Sequence, residues 1–170
     1  MKNEFTVIVG CGGSGGWLVR MLSKSKGNGA RIVLIDGDAW TPGNADRCLM
    51  SSMDVGQPKV RTSARLLTAA GWSVAQVPRY LAPGTDDWRK LLEDEGRMKL
   101  LSAVDNHTAR RACLRLADLR AERGAVDDVV IVAGNDYETC EANAYLPAWR
   151  GTKLDPRIRF PEIETDTAFD

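Results

Sequence analysis

Short apolar runs alternate along this chain with longer segments in which apolar residues recur every three or four positions. Runs of apolar and β-prone residues stand at 5–9, 31–36, 73–77, 99–104 and 129–133, with a further candidate at 141–146. Helical spacing separates most of them, at 17–22, 58–70, 86–95 and 108–123. Because strands that alternate with helices form mostly parallel sheets covered on both faces, we expect a doubly wound, Rossmann-like α/β fold.

Two segments interrupt this alternation. Residues 37–54 are rich in glycine, proline and asparagine, and we expect them to be irregular. The segment from Pro147 carries three prolines and ends in acidic residues, and we expect no regular structure there. The sequence therefore predicts one domain over residues 1–150, followed by an irregular tail at 151–170.

The composition is that of an ordinary globular protein. The 170 residues include 23 basic and 23 acidic side chains, so no net charge favours a nucleic acid or a membrane surface as partner. No apolar run reaches the roughly 18–20 residues of a membrane span. The first strand pattern begins almost at the first residue of the sequence, so we expect no signal peptide. We therefore expect a cytoplasmic protein with neither a membrane nor a nucleic-acid partner.

The four cysteines are far apart, at positions 11, 48, 113 and 140, and form no C-x-x-C pair. We therefore expect neither a structural zinc nor a disulfide framework. Cys140 follows the fifth predicted strand, where a reactive thiol could reach a ligand at the ends of the strands. An ordinary, unreactive thiol is the alternative, and the sequence favours it.

The first strand runs directly into a glycine cluster at 10–16. Gly10, Gly12 and Gly15 fit the pattern G-x-G-x-x-G between a strand and a helix. Glycine lets the backbone approach a phosphate closely, and the N–H groups that begin a helix attract an anion. Asp36 ends the second strand, where an acidic side chain would hold ribose hydroxyls. These features predict a nucleotide-binding domain; a tight turn without a ligand is the simpler alternative.

Further polar motifs follow the glycine turn in a set order. They are Asp36-x-Asp38, Asn44-x-x-Arg47, Lys59 and Asp105-Asn106. Their order and spacing resemble the ThiF/MoeB family, to which the catalytic domains of ubiquitin-activating enzymes also belong. The resemblance covers most of residues 5–146.

The resemblance implies an adenylyltransferase that binds ATP and Mg²⁺. The C-terminal carboxylate of a small ubiquitin-like or sulfur-carrier protein would attack the α-phosphorus, giving an acyl-adenylate and pyrophosphate. The resemblance also implies a homodimer or a larger partner chain.

The resemblance assigns the site residues as well. The phosphates would be lined by Gly10, Gly12 and Gly13 and contacted by Asn44, Arg47 and Lys59. The nucleotide would also be contacted by Asp36, at the ribose, and by Asp38 and Asn106. Mg²⁺ would be held by Asp105. The candidate catalytic residues are thus Arg47, Lys59 and Asp105.

The residue types suit this chemistry. An arginine fork and a compact lysine charge can offset the charge that grows on transferring phosphates. A carboxylate such as Asp105 is the kind of ligand that Mg²⁺ takes beside phosphates and water. No general base is required, because a C-terminal carboxylate is already ionised near neutral pH. The simpler roles are a surface charge for Arg47 and Lys59, and a helix N-cap for Asp105.

The chain also departs from the family pattern. Ser14 stands where the family has leucine, Cys48 where it has glutamine, and Ser102 where it has aspartate. The family's N-terminal helix and C-terminal regions have no counterpart, which predicts a minimal or truncated member or one completed by a partner chain. Two alternatives to an active enzyme stay open: a non-catalytic or incomplete subunit, and an NAD-binding Rossmann module. Dehydration of a modified tRNA base also occurs in the family.

Overall fold

Strands and helices alternate through most of the chain. The computed structural model describes residues 3–45, 48, 51–135 and 140–165, without the side chains of residues 134, 135 and 140. The strands are β1 (Glu4–Val9), β2 (Arg31–Ile35), β3 (Ser73–Val77), β4 (Arg97–Ser102), β5 (Val129–Asn135) and β6 (Cys140–Tyr145). The helices are α1 (Gly13–Leu22), α2 (Lys59–Ala69), α3 (Asp86–Glu93), α4 (His107–Glu122), α5 (Pro156–Arg159) and α6 (Glu162–Thr165). Short 3₁₀ turns lie at Pro42–Asn44, Ser52–Asp54 and Pro147–Trp149.

The six strands form a mostly parallel sheet with helices, so the predicted Rossmann-like α/β class is confirmed. The chain divides into two compact units. The N-terminal unit is Phe5–Tyr80, and the second unit is Leu81–Asp170 together with Met1–Glu4. Within the described residues, no helix combines the length and the apolar character needed to cross a membrane.

The N-terminal unit is built on the parallel strands β3, β2 and β1, in that order. The apolar runs predicted these strands because β1 and β2 are buried and carry few polar residues; Val7, Ile8 and Leu34 are completely buried. The helices α1 and α2 pack against each other, and α2 buries the face that carries Val60 and Leu67. This packing holds the end of β1 and the start of α2 in place.

The second unit contains β4, β5 and β6, of which β4 and β5 are parallel and β6 is antiparallel to β5. The helix α4 buries Leu114 and Leu116 completely. Arg120 of the same helix is also buried, and its guanidinium is used for structure. It donates to Asp128 Oδ2 over 2.6 Å, to the carbonyl oxygens of Asp94 and Gly96 over 2.7 Å each, and to that of Leu91.

The segment after Pro147, expected to be irregular, carries two short helices and a 3₁₀ turn up to residue 165. Its anchor is Arg157, which donates to Asp118 Oδ2 over 2.6 Å, to Tyr145 Oη over 2.7 Å and to Asp155 Oδ1 over 2.9 Å. Ile163 of α6 is buried as well. Asp118 and Tyr145 lie 39 and 12 residues before Arg157 in the sequence, so the local composition of the segment could not indicate its structure.

Candidate functional site

The turn that follows β1 is shaped by Gly10, which has a φ of +91°. A side chain at this φ would be strained. The Gly10 N–H donates to the carbonyl oxygen of Ile35 over 2.8 Å, which ties the turn to the end of β2. Helix α1 begins at Gly13, inside the predicted glycine motif, with Gly12 as a residue that supplies no side-chain cap. Its first turn carries no acidic side chain, so the start of α1 suits an anion.

Asp36 links the two loops that leave β1 and β2. Its Oδ2 accepts the Cys11 N–H over 2.7 Å and its Oδ1 accepts the Asp38 N–H over 2.8 Å. Burial raises the pKa of Asp36 above its ordinary value, although the hydrogen bonds from the two N–H groups and the charge of Lys59 act to lower it. Asp36 therefore holds the glycine turn from beside it, and its predicted contact with ribose stays a prediction.

A partly buried ion pair places a cation beside the glycine turn. Lys59 Nζ lies 2.6 Å from Asp38 Oδ2, and the Lys59 side chain is only 12% exposed against 46% for Asp38. The same ammonium group lies 3.9 Å from the position that a Cβ would take on Gly12. The structure thus brings together three of the predicted site residues, which are 47 positions apart at their extremes in the sequence.

The pKa values of Lys59 and Asp38 are shifted so that both side chains stay charged at neutral pH. The hydrogen bonds from Lys59 and Tyr80 hold the pKa of Asp38 below its ordinary value. Burial acts to lower the pKa of Lys59, but the hydrogen bond with Asp38 and the charges of Asp36 and Asp38 outweigh it, so that pKa lies above its ordinary value. Lys59 is therefore a cation at neutral pH. Because it is paired and largely buried, the alternative role of an exposed surface charge does not fit it.

The loop that carries Asp38 is held against the start of α2. The Lys59 N–H donates to the Asp38 carbonyl oxygen over 2.9 Å, and Ala39 forms an isolated antiparallel bridge with Pro58. Trp40 is buried, and its Nε1–H donates to Thr62 Oγ1 over 3.1 Å. Thr62 in turn donates to Asp54 Oδ1 over 2.9 Å. This chain of hydrogen bonds ties both Trp40 and Asp54 to helix α2.

Tyr80 belongs to this cluster, and the sequence analysis did not find it. Its hydroxyl donates to Asp38 Oδ1. Tyr80 lies 42 residues after Asp38, in the loop that follows β3, so no local spacing connects the two. The only feature of the sequence that could have indicated Tyr80 is an aromatic residue shortly after the third strand, and it belongs to no motif.

Asn44 and Arg47 were predicted to contact phosphate oxygens. Asn44 ends a 3₁₀ turn, where its Oδ1 accepts from the N–H and the hydroxyl of Thr41, each over 3.0 Å. This capping interaction fixes the amide side chain in the loop. Arg47 lies outside the described residues. Both phosphate contacts stay predictions.

The predicted magnesium ligand lies in the second unit. Asp105 is exposed and stands between β4 and α4. The N-cap of α4 is Asn106, whose Oδ1 accepts the Ala109 N–H over 2.8 Å. The alternative of Asp105 as the N-cap is therefore wrong, because its neighbour fills that position. The Asp105 carboxylate is left exposed to solvent, and Asn106 has a structural role beside its predicted contact with the nucleotide.

The described residues bring few possible ligands of a Mg²⁺ ion together. Among the described residues, no three histidine, cysteine, aspartate or glutamate side chains cluster as a metal site would require. One exposed carboxylate nevertheless fits a Mg²⁺ ion that arrives with phosphates and keeps most of its waters. Asp105 is thus compatible with an ion that arrives with a nucleotide.

Two of the cysteines, Cys11 and Cys113, are buried and carry no sign of reactivity. Burial and the charge of Asp36 raise the pKa of Cys11 to about 12, and burial raises that of Cys113 to the same value. Both therefore remain neutral thiols at physiological pH. The side chain of Cys140, the candidate for a reactive thiol, lies outside the described part of the chain.

Solved structures of similar fold were found. The chain resembles PaaA at 24% identity and a TM-score of 0.64, with 85% of this chain and 42% of PaaA covered. It resembles the E. coli tRNA N6-threonylcarbamoyladenosine dehydratase TcdA at 20% identity and a TM-score of 0.61, covering 96% of this chain and 66% of TcdA. E. coli MccB with ATP matches at 25% identity and a TM-score of 0.62, covering 95% of this chain and 48% of MccB. Another structure of MccB contains AMPCPP and MccA.

The chain spans less than two thirds of the length of each of these proteins. The family comparison is more specific. The model of the ThiF family matches residues 1–122, which is most of the chain and includes the glycine turn, Lys59 and Asp105. The resemblance stated from the motifs is therefore confirmed, and the chain belongs to the ThiF family.

Proposed function

We propose that this chain is an ATP-dependent adenylyltransferase that activates a carboxylate. The observation that carries the proposal is the Lys59 ammonium, largely buried and 3.9 Å from the Cβ position of Gly12. A cation beside an uncapped helix start suits a polyphosphate. Membership of the ThiF family and the similarity to MccB, which has been solved with ATP, support the nucleotide.

In the proposed reaction, each group of residues has one task. The backbone at Gly10, Gly12 and Gly13 binds the phosphates, and Lys59 offsets the negative charge that grows on them. Further phosphate contacts come from Asn44 and Arg47. The nucleotide is also contacted by Asp36, at the ribose, and by Asp38 and Asn106.

The step itself needs no proton transfer from the protein. A carboxylate oxygen of the substrate attacks the α-phosphorus, the bond from that phosphorus to the bridging oxygen breaks, and pyrophosphate leaves with the electron pair. The product is an acyl-adenylate. Mg²⁺, with Asp105 as its protein ligand, supplies positive charge to the phosphates when it is bound.

We propose that the carboxylate is the C-terminus of a small ubiquitin-like or sulfur-carrier protein. The family resemblance supports this class, and the structure of MccB with both AMPCPP and MccA supports a partner bound beside a nucleotide. A homodimer and a cytoplasmic location belong to the same proposal. Size-exclusion chromatography with light scattering tests the dimer.

Calorimetry tests whether ATP is the nucleotide that the chain binds. We expect ATP to bind in a Mg²⁺-dependent manner and more tightly than NAD. Tighter binding of NAD would contradict the proposal and indicate a dinucleotide-binding module.

ATP–pyrophosphate exchange tests the reaction. We expect exchange only when a carrier protein with a free C-terminus is added. ATP binding without exchange, with exchange restored by a larger co-purifying chain, would indicate an incomplete subunit.

A further inference from the structure

Tyr80 is 70% exposed, yet both ends of its side chain are engaged within the N-terminal unit. The hydroxyl donates to Asp38 Oδ1. The ring lies against the backbone of Gly37, where a Cβ would stand 2.8 Å from three ring carbons. Only glycine at position 37 therefore leaves room for the ring in this place. An aromatic side chain fixed at two points is held over the loop that follows β2.

The two oxygens of Asp38 are divided between two donors. Oδ2 accepts from the Lys59 ammonium group over 2.6 Å, and Oδ1 accepts from Tyr80. The Lys59 contact is an ion pair, whereas the Tyr80 contact is a neutral donor to a charged acceptor. The second contact can therefore persist when the first is broken.

We propose that Tyr80 is a positioning residue that holds Asp38 in place while Lys59 leaves Asp38 for a phosphate. In the empty site, Asp38 serves as the counter-ion that keeps Lys59 beside the glycine turn. In the loaded site, the phosphate takes the ammonium group and Tyr80 remains the donor to Asp38. This inference rests on the proposed nucleotide site.

Charge explains why the exchange is favourable. A pair in which one partner is half exposed is typically worth no more than about 1 kcal/mol. A polyphosphate carries several negative charges and binds an ammonium group more strongly. Once Lys59 has moved, Asp38 is left near the Asp36 carboxylate, which it repels. The Tyr80 hydroxyl offsets this repulsion in the loaded state, so its loss should weaken the loaded state more than the empty one.

The variant Tyr80→Phe removes the hydroxyl and keeps the ring on Gly37. We expect its affinity for ATP to fall about 3- to 10-fold, as for one hydrogen bond to a charged group after replacement by water. The affinity for adenosine, which has no phosphate to draw Lys59 away from Asp38, is expected to fall less than the affinity for ATP. An ATP affinity equal to that of the native chain, in a folded Tyr80→Phe protein, overturns the inference.

A second measurement needs no nucleotide. The pKa of the Asp38 carboxyl, followed by ¹³C NMR, is expected to rise in Tyr80→Phe toward its ordinary value. An Asp38 titration that does not move overturns the inference, whether or not ATP binds. If the native chain binds no ATP but Asp38 does shift, the proposed function fails while the link from Tyr80 to Asp38 stands.

Gly37→Ala gives the third arm. The new methyl group is expected to push the ring aside and to weaken ATP binding about as much as Tyr80→Phe does. In the double variant with Tyr80→Ala the two effects should not add, because the ring is already gone. Full additivity overturns the proposed contact between the ring and position 37.

Discussion

Lys59 and Asp38 are joined twice, by the ion pair of 2.6 Å between their side chains and by a backbone hydrogen bond of 2.9 Å from the Lys59 N–H to the Asp38 carbonyl oxygen. The backbone contact does not depend on charge. It keeps the base of the Lys59 side chain in place when the side-chain pair opens. A short reorientation of the ammonium group is then sufficient to reach an anion at the glycine turn.

Replacement of Lys59 by methionine should therefore weaken ATP binding strongly. We expect a loss of about 10- to 100-fold, as for one charge-assisted contact with a phosphate. Calorimetry with ATP measures it. Lys99→Met is the matched control, because Lys99 also forms a 2.6 Å ion pair, with Glu4, but is 46% exposed and belongs to none of the predicted motifs. Equal losses in both variants would contradict a specific role for Lys59.

Two alanine substitutions in the glycine turn should separate stability from binding. Gly10→Ala places a side chain at a φ of +91° and should cost about 1–3 kcal/mol in the free energy of unfolding. Gly12→Ala meets only Lys59 Nζ, at 3.9 Å, so it should cost less stability while its methyl group occupies the space proposed for phosphate. Urea unfolding and ATP titration of both variants measure the two effects. Loss of binding in Gly10→Ala alone would contradict the proposed phosphate position.

Asp54 should make the stability of the chain depend on pH in the acid range. Burial acts to raise its pKa, but hydrogen bonds from Ser51 and Thr62 and the charge of Arg65 lower it from 3.8 to about 2. Because the folded pKa lies below the unfolded one, this stabilisation is complete above about pH 4 and is lost as the pH falls toward 2. It amounts to about 2 kcal/mol.

The variant Asp54→Asn should accordingly be less stable than the native chain at pH 7, and the difference should shrink between pH 4 and pH 2. Urea unfolding at several pH values measures it. Asp86→Asn serves as control, since Asp86 is 75% exposed and pairs only with Arg89 of its own helix among the interactions described. A difference independent of pH would contradict the lowered pKa.

Asp105→Asn should raise the Mg²⁺ concentration needed for ATP binding. An amide oxygen is a weaker ligand for a hard cation than a carboxylate. The affinity for ATP without Mg²⁺ should stay the same or rise slightly, since a negative charge has been removed. Titrations of ATP over a series of MgCl₂ concentrations measure both. Asp127→Asn is a control in the same unit, and an identical Mg²⁺ dependence in both variants would exclude Asp105 as the ligand.

The segment after Pro147 should contribute to stability through Arg157. Replacement by methionine leaves the buried Asp155 without its cationic partner and the buried Asp118 with the longer contact to Arg150, at 3.6 Å, and should cost about 3–5 kcal/mol. Arg159→Met, two residues further, removes a guanidinium that is 58% exposed and should change stability by less than about 1 kcal/mol. Thermal unfolding compares the two. Similar melting temperatures would show that the tail is not held by Arg157.

The strands and the family could be read from the sequence because both depend on local patterns. Ser73–Val77 was predicted with its observed bounds. β4 was placed two residues too late, because Arg97 and Lys99 alternate with buried Met98 and Leu100 and hide the start of the strand. Helix α1 was expected to begin after the glycines, since glycine is a poor helix former, yet it begins at Gly13. For β4 and α1 the local pattern therefore placed the first residue of the element wrongly, although it identified the element.

The candidate site was predictable only where a motif marks it. Lys59 and Asp38 were found from their spacing, but their direct pairing was not expected. Tyr80 was missed because it reaches Asp38 from a loop 42 residues away. Asp105 was considered as the cap of α4, but its neighbour Asn106 takes that position, which depends on where the helical backbone begins. Long-range side-chain partners are set by tertiary structure, which leaves no periodic trace in one sequence.

The two hydrogen bonds that Asp36 accepts limit how this chain can change its ligand preference. In dinucleotide-binding folds, the acidic residue at the end of the second strand distinguishes a ribose hydroxyl from a ribose phosphate. Here any replacement of Asp36 would also release the amide groups of Cys11 and Asp38. A mutant selected for another nucleotide would need compensating changes in both loops, so evolution toward a new ligand is constrained at this position.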